Sequence, residues 1–226
     1  MTITYHRDLI QGSDEWHAAR CGMLTASEVK LILTPTLKAA SNDKERSHLW
    51  ELAAQRINKY VEPSYIGEAM LRGHEDEIEA RALYDKYYAP VEDCGFITND
   101  EWGFTLGCSP DGLVGDEGLI ECKSRCQKYQ MQTIIEGTVP TEYVLQVQTA
   151  LLVSGRSWLD FLSYCGGMPM FKLRVFSDDA TQRAIVDAAA AFEARLADAM
   201  RRYETQLAAN RYIPTERRII QEMFVS

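Results

Sequence analysis

Nowhere in its 226 residues does the chain hold a run of 18 apolar residues, so no membrane-spanning helix is expected. The opening residues MTITYHRDLI have no apolar stretch of the kind a secretory signal needs, and a soluble, cytoplasmic protein is the expectation. No two of the six cysteines (21, 94, 108, 122, 126, 165) stand as Cys-x-x-Cys. Cys122 and Cys126 have no histidine or second pair nearby, which argues against a zinc site and for reduced thiols. Basic charge is also scarce: 24 Lys and Arg face 33 Asp and Glu, for a net charge of −9. That argues against a surface coated in cations that grips nucleic acid anywhere, but not against a local channel in which a bound cation inverts the sign. Internal repeats and low-complexity segments are absent.

What is present is a chain with 46% hydrophobic residues, enough for one domain spanning 1–226 with a full core. Its informative stretch is 104–125, FTLGCSPDGLVGDEGLIECKSR. Gly115, Asp116, Glu117 and Gly118 supply hairpin turn chemistry, folding a second strand back beside a first. Side chains alternate along a strand, so Glu121 and Lys123 share one face, and Asp111 is brought close to Glu121. Two carboxylates beside an ammonium suit a hard cation such as Mg²⁺, with the lysine orienting or deprotonating water and offsetting charge on a phosphorane-like transition state. The residues alone leave a plainer reading open, a cross-strand ion pair on a solvated face. A second Glu-x-Lys, Glu28 to Lys30, is set aside: it follows Thr25 in a capping-box pattern and has no Pro-Asp upstream.

Ser13 caps a first helix running to about Arg20, and Thr25 opens a second through about Leu33. An arginine beside a helix start rich in hydroxyls makes an anion site; ordinary capping with Arg20 at the surface is the alternative. An amphipathic helix is predicted over 44–59, with Leu49, Leu52, Ala53 and Ile57 on one side, and a long helix over 65–88 with Ile78, Leu83 and Tyr87 buried. In that helix Gly73 allows close approach of another backbone. The four acids of this run read first as a solvated face; if one turns inward to add a third carboxylate, Glu77, one turn on from Gly73, is the choice. Strands at 91–97 and 102–108 continue as a meander into the hairpin. A helix over 127–136 brings Arg125 and Lys128 near the site, and another over 141–153 carries Gln146 and Gln148: either one of them reaches the site or both are polar surface residues of an amphipathic helix. Strands at 158–164 and 170–176 precede a helix over 178–209 whose stripe of Ile185, Ala189, Phe192, Leu196, Met200, Tyr203 and Leu207 is a core or subunit contact. The tail beyond Arg211 is expected to be loosely held. The order predicts an α/β fold with a mixed central sheet flanked by helices.

Together, Trp16, His17, Arg20, Gly22, Thr25 to Ser27, Gly73 with Glu77, Cys108 to Gly112, Glu121 with Lys123, and Gln146 to Gln148 resemble the bacteriophage lambda exonuclease and YqaJ-type viral recombinase family. The resemblance covers motif order and spacing over 13 to about 165, and it implies a restriction-endonuclease-like fold. It further implies a Mg²⁺-dependent exonuclease, with Mn²⁺ as substitute, that digests one strand of linear double-stranded DNA from its 5′ end. A homotrimeric ring and a single-strand annealing protein as partner are also implied. Carried over residue by residue, Asp111, Glu121 and the Cys122 backbone carbonyl would hold metal. Lys123 would position or activate water, Glu77 would complete the acidic set and Gln146 would support the lysine or the nucleophile. Arg20, Ser27 and Ser109 would hold the 5′ phosphate. The rivals are a site- or structure-specific endonuclease of the same fold and a catalytically silent DNA-binding subunit.

Overall fold

The computed structural model describes residues 2–63 and 67–217. Its eight strands divide between two mixed four-stranded sheets flanked by helices. The first sheet has the order β1 (Ile3–His6), β3 (Phe96–Asn99), β4 (Leu106–Cys108) and β2 (Leu24–Thr25). In the second the order is β5 (Gly112–Val114), β6 (Gly118–Ser124), β7 (Trp158–Tyr164) and β8 (Phe171–Phe176). The helices are α1 (Asp14–Arg20), α2 (Val29–Ile32), α3 (Asp43–Asn58), α4 (Glu68–Tyr87), α5 (Gln127–Glu136), α6 (Thr141–Ser154) and α7 (Asp179–Ala209).

Several expectations are corrected. The meander is broken: β3 and β4 pair with each other, whereas β5 pairs with β6 in the other sheet. Between β4 and β5 lies Pro110, which has no N–H to give to a ladder. Of the strand predicted at 91–97 only the end joins β3, and the one at 102–108 shrinks to three residues. Thr25 does not open a helix. It is drawn into β2, paired in parallel with Gly107, and α2 is a single turn. The capping contact still forms, with the Thr25 N–H donating to Glu28 Oε2 at 3.0 Å. Strand β1, unforeseen, pairs with β3 across more than ninety residues of chain. The predicted start of the long helix, Tyr65, and the tail from 218 onward lie outside the described residues.

Helix α6 is the hub. Leu145, Val147, Ala150, Leu151 and Val153 are buried, and it packs against β3 and β4 of one sheet, β7 and β8 of the other, and α2 and α7. A helix apolar on several faces is a core helix, which is what this position requires. Helix α7 buries Ile185, Ala189, Phe192 and Leu196, while Tyr203 and Leu207 at the end of the same stripe are exposed. Helix α3 packs beside α7, its Leu49, Leu52 and Ala53 joining the same core as the buried face of α7, and polar contacts link the two. Arg56 clasps Glu193 with two bonds of 2.7 Å, and Arg195 meets the buried Glu45 at 2.5 Å.

Helix α4 lies on the opposite face of the second sheet, on a separate small core of Ala80, Tyr84, Val114, Ile120, Cys122 and Leu162. Its buried face is not the predicted one: Ile78 and Tyr87 are exposed. Small Ala80 lets the helix sit close, and Tyr84 offers a hydroxyl that the sheet uses. That hydroxyl donates at 2.7 Å to Asp160 Oδ2, and Asp160 is fully buried. Arg174 donates to the two oxygens of Asp160 at 2.8 and 2.9 Å, and Lys172 stands at 3.5 Å. Gly73 is not a close-approach position either, for a Cβ there would meet nothing within 4 Å. Among the described residues no helix is long and apolar enough to cross a membrane.

Candidate active site

The hairpin forms as expected. Gly115, at φ +53°, starts the turn, and Leu113 faces Leu119 across the pair. Strand β5 is short, so the ladder stops before β6 does. There the Asp111 side chain takes over, Oδ2 accepting the Cys122 N–H at 2.5 Å, and the Asp111 N–H donates to the Ile120 carbonyl at 3.2 Å. Gly112 makes this closeness possible, since a Cβ on it would lie 2.2 Å from Val91 Cγ1. Along β6, Leu119 joins the main core while Ile120 and Cys122 face α4, the alternation that puts Glu121 and Lys123 on the α6 side. Lys123 Nζ lies 2.5 Å from Glu121 Oε1, and the same oxygen accepts from Gln146 Nε2 at 2.5 Å. Gln148 turns away to bind the Phe176 carbonyl at 2.9 Å and the Asp178 N–H at 2.9 Å, so Gln146 is the glutamine that reaches the site.

Helix α4 brings Glu77 to the same acids, within hydrogen-bonding reach of Asp111. It is steadied by Asp76, which accepts from the Ser124 hydroxyl, and by Arg81, which donates to the Asp111 carbonyl at 3.1 Å.

A cleft of about 190 Å³ opens onto this group, lined by Asp111, Glu121, Lys123 and Gln146 together with Arg20, Ser27 and Ser109. Arg20 is held by Trp16, one helical turn earlier, its guanidinium carbon 4.2 Å from the ring centroid. One Arg20 nitrogen donates to Ser109 Oγ at 3.1 Å and the other to Thr25 Oγ1 at 3.2 Å, while the Ser27 and Thr25 hydroxyls are 3.3 Å apart. Trp16 Nε1 also donates to Ser109 Oγ, at 3.0 Å. A guanidinium fork among three hydroxyls is chemistry that fits a phosphate.

The acids are under electrostatic load. Asp111 is 8% exposed and Glu121 2%. Burial, then Glu121 and Glu77, hold the Asp111 carboxyl well above the usual carboxylate range, against the pull of Lys123 and the Cys122 N–H. Burial and then Glu121 also raise Glu77, opposed by His74, Lys123 and a hydrogen bond with Asp111. Burial alone would lower the Lys123 pKa, but Glu121 and Asp111 outweigh it and keep the ammonium above its ordinary value. Three carboxylates therefore share one nearby ammonium, and a divalent cation would relieve the excess. Among the described residues no three His, Cys, Asp or Glu side chains form a ready-made cage. The donor set fits an ion that accepts carbonyl oxygen and water beside two carboxylates, as Mg²⁺ does.

Of the residues singled out from sequence, seven line one cleft, Glu77 approaches from α4 and Cys122 contributes backbone. Arg125 is also adjacent, 5.3 Å over the Tyr143 ring whose face Lys123 approaches at 5.5 Å. Lys128 does not line the cleft; it sits over Tyr129. Sequence reasoning gave no role of their own to Gln11, Trp16, Tyr143 or Arg81, and it placed Thr25 at a helix start instead of on a strand. Trp16 and Thr25 stood inside the recognised motif, and Arg81 stood one turn from Glu77, which were the available signals.

The model of the YqaJ-like viral recombinase domain matches residues 15–157. Among solved structures, LHK-Exo, an alkaline exonuclease from Laribacter hongkongensis, is 34% identical, with 87% of this chain and 99% of that one covered at a TM-score of 0.77. LHK-Exo in complex with dAMP aligns at 37% identity, with the same 87% and 99% coverage and a TM-score of 0.78. A phage-related exonuclease from Haemophilus somnus 129PT, 14% identical over 79% of this chain and 96% of its own with a TM-score of 0.50, shares the fold. A search of curated proteins returned no match. The two mixed sheets and their helices are the restriction-endonuclease-like fold that the sequence led us to expect. The chain belongs to the YqaJ-like viral recombinase family.

Proposed function

We propose that the chain is a Mg²⁺-dependent exonuclease that shortens one strand of linear double-stranded DNA from the 5′ end, leaving a 3′ overhang for single-strand-annealing recombination. One observation carries this reading: two buried acids and a lysine at the β5–β6 hairpin line the same cleft as a phosphate-type donor set. Asp111, Glu121 and the Cys122 carbonyl would hold Mg²⁺, or Mn²⁺ in its place, with Glu77 completing the acidic set. Such an ion, when bound, supplies Lewis-acid polarisation of the phosphate and offsets its developing charge. Lys123 positions or activates the attacking water and donates toward the charged phosphate oxygens. Gln146 keeps Glu121 aimed. Arg20, Ser27 and Ser109 receive the terminal 5′ phosphate and so limit how far the strand enters. The capture of dAMP by LHK-Exo supports a site that accepts a nucleoside monophosphate.

The same reading includes a homotrimeric ring around the duplex, which would reconcile a net charge of −9 with a locally basic channel. It also includes a single-strand annealing protein as partner in the cytoplasm of the host cell. The deciding assay offers end-labelled linear duplex and closed circular duplex, with Mg²⁺ or with EDTA. Mg²⁺-dependent loss of the 5′ label from linear DNA and an intact circle are expected. Cutting of the circle, or equal digestion in EDTA, contradicts the proposal.

A further inference from the structure

Helix α5 is built inside out. It buries the polar residues Gln130 and Thr133, and it shows Tyr129, Met131, Ile134 and Ile135 to solvent at 44, 58, 39 and 72% exposure. The inward amide explains how. Gln130 Nε2 donates to the carbonyls of Ser163 and Pro169 at 3.0 and 2.7 Å, and its Oε1 accepts the Ser163 hydroxyl at 2.5 Å. Hydrogen bonds thus hold the helix on the sheet, and its apolar side chains are left over from the fold.

Cations gather at the first turn of this helix. Lys128 Nζ is 4.6 Å from the Tyr129 ring centroid, and the Arg125 guanidinium is 5.0 Å from it. Arg125 also covers the Tyr143 ring at 5.3 Å, and Lys123 approaches that ring at 5.5 Å, so the Tyr129 surface continues from the candidate active site through one shared aromatic. Arg125 is buried and paired with Glu142 at 2.8 Å, so Lys128 is the cation of this pair that faces solvent. In a chain of net charge −9, an exposed ring flanked by two cations beside a cleft is complementary to a polyanion with flat apolar bases.

We infer that the outer face of α5 holds an unpaired DNA strand near the cleft. One base stacks on Tyr129, a phosphate meets Lys128, and neighbouring bases lie against Met131 and Ile135. This rests on the nuclease reading and deepens it, naming the single-stranded part of the substrate as a separate ligand of the protein. Base stacking on an aromatic ring tolerates any sequence, so the site should bind pyrimidine and purine strands alike.

The test measures binding of a fluorescent twelve-nucleotide thymidine oligonucleotide to the full chain in EDTA, alongside cleavage of linear duplex in Mg²⁺. Tyr129→Ala should weaken oligonucleotide binding about five- to tenfold, in line with the loss of one stacked base. Tyr129→Phe should bind like wild type, and Lys128→Ala should flatten the salt dependence of binding. Thermal unfolding of each variant checks that the fold is kept. Unchanged binding by Tyr129→Ala overturns the inference. So does wild-type protein that cleaves duplex yet ignores single strands, or a Tyr129→Ala variant whose solution mass drops, which would give this face to a second copy. A wild type that binds the oligonucleotide but cannot cleave duplex would leave this surface standing and sink the nuclease reading instead.

Discussion

Gln146 and Lys123 donate to the same oxygen of Glu121, each at 2.5 Å, one from a helix and one from the strand that bears the acid. The buried carboxylate is thereby fixed from two elements. Gln146→Ala should leave the fold intact, lower kcat about ten- to a hundredfold and change KM little, the expected result for lost pre-organisation. Gln146→Glu should be worse, since it adds a like charge beside Glu121. Steady-state digestion of labelled duplex measures both; a change confined to KM would show that Gln146 contacts DNA instead.

Asp111 should destabilise the metal-free protein. Its folded pKa is raised, so the folded state retains a proton that the unfolded chain has released. The sign follows: this group costs nothing below its unfolded pKa of about 3.9, and stability declines as pH rises from there through the higher folded value. Asp111→Asn keeps an acceptor for the Cys122 N–H and removes the charge. Without divalent ions at neutral pH it should melt higher than wild type, by a few degrees. Mg²⁺ should raise the melting temperature of wild type and not that of the variant. Calorimetry with and without EDTA reads both effects.

Asp160 has the opposite sign. Burial works to raise its pKa, but hydrogen bonds from Arg174 and Tyr84, with Lys172 nearby, bring it below the ordinary value. Its contribution is complete above the unfolded pKa of about 3.9 and is lost as pH falls through the folded one. Tyr84→Phe, which leaves one buried acceptor short of a donor, should cost about 1–2 kcal/mol in urea denaturation at pH 7. Because Tyr84 ties α4 to the sheet, and α4 carries Glu77, the variant should also lose activity beyond its loss of stability. Full activity in folded Tyr84→Phe would separate α4 placement from catalysis.

Arg20 uses both arms of its guanidinium, toward Ser109 and Thr25, with Trp16 beneath. Arg20→Ala should slow digestion of 5′-phosphorylated duplex about ten- to a hundredfold and affect 5′-hydroxyl duplex much less. Lysine, a point charge without the fork, should restore little. Equal loss on both ends would remove Arg20 from the phosphate role.

The local part of the site was legible in the sequence, and the long-range part was not. A turn with Gly115, followed by strict alternation through Glu121 and Lys123, defines a hairpin within about fifteen residues, and the structure keeps it. The division into two sheets depends on Ile3 to His6 finding Phe96 to Asn99, a pairing no local pattern announces. The face of α4 was misread because apolar residues were taken as the buried ones. Ile78 and Tyr87 are left exposed, and the sheet takes Ala80, which is small, and Tyr84, whose hydroxyl reaches Asp160. Glu77 does reach the acids, though not for the reason first given, since nothing approaches Gly73. Nothing local to the sequence gives Arg81 a role, and its bond to the Asp111 carbonyl is what reveals it.

The central claim is that a divalent cation sits between Asp111 and Glu121 beside Lys123. Anomalous diffraction from crystals soaked in Mn²⁺ tests it most directly. The account predicts a peak within about 2.0–2.6 Å of one oxygen from each acid, absent in Asp111→Asn crystals. A well-ordered site with no peak, or a peak bound to other residues alone, would contradict it.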